Sequence, residues 1–227
     1  MVTNRQVLLT NDHFYHIFNR GINRQPVFTT KKEYERTQDT LEYYRFASLP
    51  VRQSKFLVLP EKERALLWEN ISSRNSTLVD ILAYCLLPNH FHFLLRQNKN
   101  DGISRFLSNF TNSYTKYFNT KHKRTGPLFT GTFKSVLVES DEQLIHLSRY
   151  IHLNPTTSFL VKPEVLKEYP WSSYSCYFEK ENNNVIETET ILSYFKSKKK
   201  YEEFVMDQAS YARELELIKH VSLDMES

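Results

Sequence analysis

The chain has 227 residues, 40% hydrophobic and 14% aromatic, enough to bury the core of one large domain or of a core domain with an appendage. No apolar run approaches the roughly 18 residues of a membrane helix, and the opening MVTNRQVLLTND lacks the basic and apolar regions of a signal peptide. Two cysteines, Cys85 and Cys176, and a net charge of +4 indicate neither a disulfide framework nor a cysteine metal cluster, so a soluble, cytoplasmic chain without a membrane partner is expected.

In chain order, HFYHIFNRG (13–21) alternates and is aromatic-rich, which predicts a first strand ending at Gly21. TKKEYERTQDTLEYYRFAS (30–48) has apolar and charged positions at helical spacing. Residues 50–76, bounded by Pro50 and SSRNS, read as an insertion with one short helix near EKERALLWENI. TLVDILAYCLL (77–87) is rich in strand formers, Pro88-Asn89 suits a tight turn, and HFHFLLR returns antiparallel. After Asp101-Gly102 the period changes: Ile103, Phe106, Leu107, Phe110, Tyr114, Tyr117 and Phe118 mark an amphipathic helix. TFKSVLVES (132–140) is a further strand. Ser140 and Gln143 then fit a capping box that opens a helix through DEQLIHLSRYIHLN, with Pro155 expected to end it. The charged tail from 180 onward, with Lys198-Lys199-Lys200, is expected to be helical. Strand, helix, strand, strand, helix, strand, helix is compatible with a ferredoxin-like α+β sandwich, an antiparallel sheet with helices on one face. The division expected is a domain over 1–178 and an extension over 179–227.

Charge is unevenly spread. Residues 1–160 hold 21 Lys/Arg against 13 Asp/Glu, whereas 161–227 hold 9 against 13. Between Arg96 and Lys134 eight basic residues face one acid, Asp101, a stretch suited to a polyanion, of which nucleic acid is the commonest. Within it Arg105, Lys116 and Lys134 are candidate phosphate contacts. Lys121, His122, Lys123 and Arg124, beside RTGPLF, read as a phosphate-contacting loop. Phe118, Phe129 and Phe133 are candidate stacking aromatics for a single strand.

LLPNHFHFLL (86–95) places His90 and His92 one residue apart in an apolar strand. Side chains alternate, so the two imidazoles share one face and Phe91 and Phe93 the other. The pair could share a divalent cation; hydrogen-bonded or surface histidines fit a bare H-x-H equally well. HLSRYIHLNP puts Tyr150 and Asn154 on one side of the late helix, beside a Leu144, Leu147, Ile151 stripe. Tyr150 is placed either to pack or to reach toward the histidine face. Tyr114 and Tyr117 belong to an apolar helix face, where packing is the better reading, and His146 fits a structural hydrogen bond.

Taken in order, LPNHFHFLL, SYTKYFNTKHKRTGPLFTGTFKSVLVES, LSRYIHLNP and YPWSSY resemble the REP-associated tyrosine transposases, relatives of the single-tyrosine insertion-sequence transposases within the HUH nucleases. YHIFNRGINRQPVF resembles the first strand and loop of the same group, and the resemblance runs from about residue 13 to 178. It implies that His90 and His92 hold Mg²⁺ or Mn²⁺ against a DNA phosphate, that Tyr150 attacks the phosphate, and that Asn154 completes the metal shell. It also implies single-stranded DNA beside a hairpin as substrate, a 5′-phosphotyrosine intermediate, and either a monomer or a homodimer that exchanges tyrosines. A domesticated DNA-binding protein that no longer cuts is the alternative. A metal-dependent hydrolase of small molecules is disfavoured by the missing carboxylate ligands and the basic 96–134 stretch.

Overall fold

A strand that pairs on both sides must bury one face, and β1 (Phe14–Arg20) does so by strict alternation: Tyr15, Ile17 and Asn19 are buried while Phe14, His16 and Phe18 are half-covered. The computed structural model describes residues 8–73, 76–179 and 185–209; the rest of the expected tail, 180–184 and 210–227, lies outside them. After β1 come α1 (Lys31–Tyr44), α2 (Gln53–Phe56), α3 (Glu61–Ser73), β2 (Val79–Leu87), β3 (His90–Gln97), α4 (Gly102–Lys121), β4 (Lys134–Leu137), α5 (Asp141–Thr157), α6 (Glu189–Leu192) and α7 (Lys198–Met206). The four strands form one antiparallel sheet in the order β2-β3-β1-β4, the ferredoxin-like arrangement expected of a β-α-β-β-α-β chain. The inserted stretch carries two helices, α2 and α3, rather than one.

The chain divides into two compact units. Of the described residues the first comprises 8–73, 76–80, 88–90 and 95–137. In it β1 pairs with β4, Tyr15 opposite Leu137 and Phe18 opposite Lys134. Helices α1 and α4 pack together, α4 burying Ile103, Phe106, Leu107, Phe110, Tyr114 and Phe118. Gln97, 1% exposed, donates to the Leu9 carbonyl and accepts from the Ile103 amide, so one amide side chain fastens the N-terminal segment and the start of α4. Gly102 lies so close to the Leu78 carbonyl that an added Cβ would sit 2.3 Å from its oxygen. Thr30 and Glu33 close a capping box on α1.

Glu33 is wholly buried, and Lys121 (2.7 Å) and His122 (2.6 Å) both reach its Oε1. Burial alone would raise this carboxyl, but Lys121, His122 and Thr29 together hold it down to about 2. The same carboxylate thus caps α1 and ties it to the end of α4.

Of the described residues the second unit comprises 81–87, 91–94, 138–179 and 185–209. Phe91 and Phe93 stack at 4.5 Å within its core. β2 is an edge strand, and its backbone is covered rather than left open. Leu86 N donates to the Trp171 carbonyl, Ser173 N to Tyr84, and Glu187 N to Ile81. The buried hydroxyls of Tyr169 and Tyr177 donate to the carbonyls of Leu86 and Leu82. YPWSSY is thereby the cover of that edge. α5 opens as expected, Ser140 Oγ accepting from Gln143 N while Gln143 Oε1 accepts from Glu139 N.

Pro155 does not end α5; the helix passes through it to Thr157. A proline this near the end forfeits only the N–H for the Ile151 carbonyl. Residues 151–156 are all buried, and their packing offsets the local cost. Among the described residues no helix is long and apolar enough to cross a membrane.

A buried network joins α5 to α7. Ser148 Oγ donates to the Ile145 carbonyl and accepts from Tyr201 Oη (3.1 Å). Tyr201 Oη therefore accepts from His152 Nδ1–H (2.7 Å), and His152 Nε2 faces Ser173 Oγ at 3.0 Å. Burial lowers the His152 pKa to about 3, so the imidazole is neutral.

Two outcomes test this account. Glu33 ionises far below its unfolded value, so its stabilisation is full above pH 4.5 and disappears as pH falls toward 2. Glu33→Gln should cost about 3 kcal/mol at pH 7 and flatten that part of the urea-denaturation profile. Tyr201→Phe strands His152 Nδ1–H and should cost about 1–3 kcal/mol. By NMR, His152 in the wild type should remain unprotonated at pH 5.

Candidate active site

β3 leaves a tight turn whose second residue, Asn89, organises the first imidazole. Asn89 Nδ2 donates to the Arg24 carbonyl (3.2 Å), which turns its Oδ1 toward His90 Nδ1 at 2.6 Å. That acceptor fixes the His90 proton on Nδ1 and the lone pair on Nε2. Burial drives the His90 pKa down to about 4, so the ring is neutral at physiological pH and has the protonation state of a metal ligand. His92 follows two positions later on the same strand, hence on the same face, and is 7% exposed.

Within the second unit the ring of His92 meets the ring of Tyr150 edge to face, centroids 5.6 Å apart at 85°. Tyr150 is 50% exposed, although residues 151–156 directly after it are all buried. The helix presents this phenol at a surface and anchors it from the buried side through Ser148 and His152. Asn154, one turn on, is 5% exposed and donates from Nδ2 to the Tyr150 carbonyl at 2.9 Å. This bond uses the amide nitrogen and leaves the oxygen as the donor atom a cation could use. Asn154 is not the helix cap; that position belongs to Ser158. His146 is spent on Arg149, whose Nη2 lies 2.6 Å from its Nδ1, while the guanidinium covers the ring of Phe204 at 4.2 Å.

Among the described residues no group of three or more His, Cys, Asp or Glu is arranged to hold a metal. Uncharged donor atoms are offered by His90 and His92 on β3 and, separately, by Asn154 on α5.

The expected phosphate contacts divide. Lys116, Lys123 and Lys134 are exposed, Lys134 with its ammonium 5.9 Å from the Phe18 ring and Lys123 at φ 50°. Arg105, also exposed, donates to the Ala47 carbonyl. Lys121 and His122 turn inward to Glu33, and Arg124 holds Asn119 Oδ1 and the Pro127 carbonyl. Of the expected stacking aromatics, Phe118 (6% exposed) and Phe129 (5%) are core residues, and Phe133 alone is half-exposed. The correction follows from position: Phe118 continues the buried stripe of α4, and Phe129 packs on Tyr114, whose hydroxyl donates to the Val27 carbonyl. Tyr114 is thus a packing residue, and burial raises its pKa.

Two histidines were not singled out from sequence. His16 lies on β1 opposite Val136, on the face away from Tyr15, and burial lowers it to about 4. His152 sits two residues after the tyrosine; its only sequence signal is a polar residue placed where α5 must be buried.

The family described as Transposase IS200 like matches residues 10–154. A protein of Haemophilus influenzae named as a REP-associated tyrosine transposase is 30% identical over 106 residues, covering 42% of this chain and 58% of that relative. The chain therefore aligns with somewhat under two thirds of that relative's length. A solved structure of a REP-associated tyrosine transposase bound to a REP hairpin superposes with a TM-score of 0.50 at 13% identity, covering 83% of this chain and 93% of the other, and at that identity it speaks for the fold. With the family match extending over well more than half of its length, the chain belongs to the IS200-like transposases.

Proposed function

We propose that this chain cleaves and rejoins single-stranded DNA beside hairpins through a covalent 5′-phosphotyrosine link made by Tyr150. One observation carries the reading: a half-exposed phenol stands edge-on against His92, just before the buried last turns of its helix, in a chain of a transposase family. The Haemophilus relative's name and the REP hairpin bound to the solved neighbour agree with it.

His90, His92 and Asn154 would hold Mg²⁺ or Mn²⁺. Their donor atoms are uncharged, so a bound cation keeps its full charge and supplies Lewis-acid polarisation of a phosphate. An unassisted tyrosine hydroxyl ionises near pH 10, about three units above neutrality, so the phenol needs both orientation and a route for its proton. Orientation comes from the His92 ring and from the buried anchoring of α5. In the reaction Tyr150 Oη bonds to phosphorus in line with the departing 3′ oxygen, the P–O3′ bond breaks, the phenolic proton is lost to solvent, and the 3′ oxygen is protonated. The phosphotyrosine ester conserves the bond for rejoining, so no nucleotide hydrolysis is needed. The meeting of the His92 and Tyr150 rings within one chain supports a tyrosine that serves in cis. Lys116, Lys123, Lys134 and Arg105 contact backbone phosphates, with Lys121, His122 and Arg124 secondary because their charges are already engaged.

With Mg²⁺ or Mn²⁺ and a hairpin oligonucleotide bearing a single-stranded flank, the protein should form an SDS-resistant adduct, and Tyr150→Phe should abolish it. DNA binding without an adduct in the wild type would instead favour the domesticated, non-cutting alternative. Asn154→Ala should retain the tyrosine yet raise the Mn²⁺ concentration for half-maximal adduct by on the order of tenfold.

A further inference from the structure

The insertion between α1 and β2 builds a second polar surface. Gln53, 1% exposed at the start of α2, accepts from Thr40 Oγ1 on α1 (2.9 Å) and Ser113 Oγ on α4 (3.3 Å), and its amide donates to Tyr44 Oη (3.3 Å). This clamp walls a groove of about 760 Å³ lined by Arg36, Arg52, Lys116, Lys121, Tyr117 and Val58 among others, with no acidic side chain in its lining. Lys121 is compensated by Glu33 and Arg36 feels the charge of Asp39 outside the lining, which leaves Arg52 and Lys116 as the groove's further cations. A neighbouring hollow of about 380 Å³, bounded by α1, α2 and α3, is lined instead by Asp39, Glu42 and Glu61 with Arg64. The absence of acids in the larger groove is therefore a local property, not the general character of this surface.

Arg36 is the built part of the groove. Its guanidinium lies over the Tyr117 ring at 5.5 Å, and its Nε is buried without a hydrogen-bond partner among the described residues. A guanidinium on an aromatic ring is suited to a phosphate, which accepts from its N–H groups. Along α4 the lining runs from Asn109 through Asn112, Ser113 and Lys116 to Thr120. At 1.5 Å per residue this polar stripe is about 16 Å long, more than one nucleotide needs.

We propose that this groove grips a stretch of single-stranded DNA, its phosphates on Arg36, Arg52 and Lys116 and a sugar or base against Tyr117 and Val58. The proposal rests on the reading of the chain as a single-strand DNA enzyme and adds a holding site that the insertion creates. Each phosphate neutralised on a single strand contributes about 0.7 to the salt slope of binding.

The test is a fluorescence-anisotropy salt titration of the full chain with a labelled oligonucleotide that lacks a cleavable flank. Arg52→Ala/Lys116→Ala should lower the slope of log K against log salt by about 1.4 and weaken binding on the order of tenfold. Val58→Glu, at a position 80% exposed and so harmless to folding, should weaken binding in the same direction. Unchanged slopes in a variant set whose parent still forms the adduct would overturn the groove alone. Failure of the parent to form an adduct would overturn the Tyr150 reading while the slope measurement still stands. Deoxyadenosine monophosphate and inorganic phosphate serve as competitors. Weak competition supports a strand, whereas displacement at concentrations matching the oligonucleotide's phosphates would overturn it in favour of a free nucleotide or anion.

Discussion

The two-residue period of β3 is the constraint on which the candidate site depends. Phe91 and Phe93 are drawn into the core, and His90 and His92 must then share the other face. A one-residue slip would exchange the two sets, so the burial of two phenyl rings holds the imidazoles in register. The same placement desolvates His90 and keeps it neutral, the state in which an imidazole binds a cation rather than repelling it.

On the second unit the requirement is different: one exposed phenol must be held still. Stillness comes from beneath, where His152, Tyr201, Ser148 and Ser173 satisfy one another away from water, and from Asn154 gripping the carbonyl of Tyr150 itself. A fully satisfied buried network fixes one arrangement, whereas a half-satisfied one would be costly. The C-terminal helix α7 supplies Tyr201 and the Phe204 ring under Arg149. α7 packs against α5, the helix of the tyrosine.

Much of this was legible in sequence because it follows from local rules. Strand alternation gave the shared face of the histidines, the period of 103–118 gave α4, and Ser140 with Gln143 gave the start of α5. What was hidden depends on partners distant in the chain. Lys121 and His122 look like a phosphate loop until Glu33, 88 and 89 residues earlier, is seen to hold both. Phe118 and Phe129 look available for stacking until their packing about Tyr114 is known. Pro155 looks like a stop because the local rule cannot weigh the burial of its neighbours. His152 is silent in sequence because a buried histidine is explained only by Tyr201 and Ser173, far along the chain. The groove walled by α2 was equally invisible, since nothing local links Gln53 to Thr40 and Ser113.

The central claim is that the paired imidazoles and the phenol address one cation within one chain. Mn²⁺ titration of the protein, followed through ring-proton NMR signals, tests it most directly. The account predicts that His90, His92 and Tyr150 broaden together, and before other ring signals, at substoichiometric Mn²⁺. Broadening of the histidines with an unaffected Tyr150 signal would contradict it.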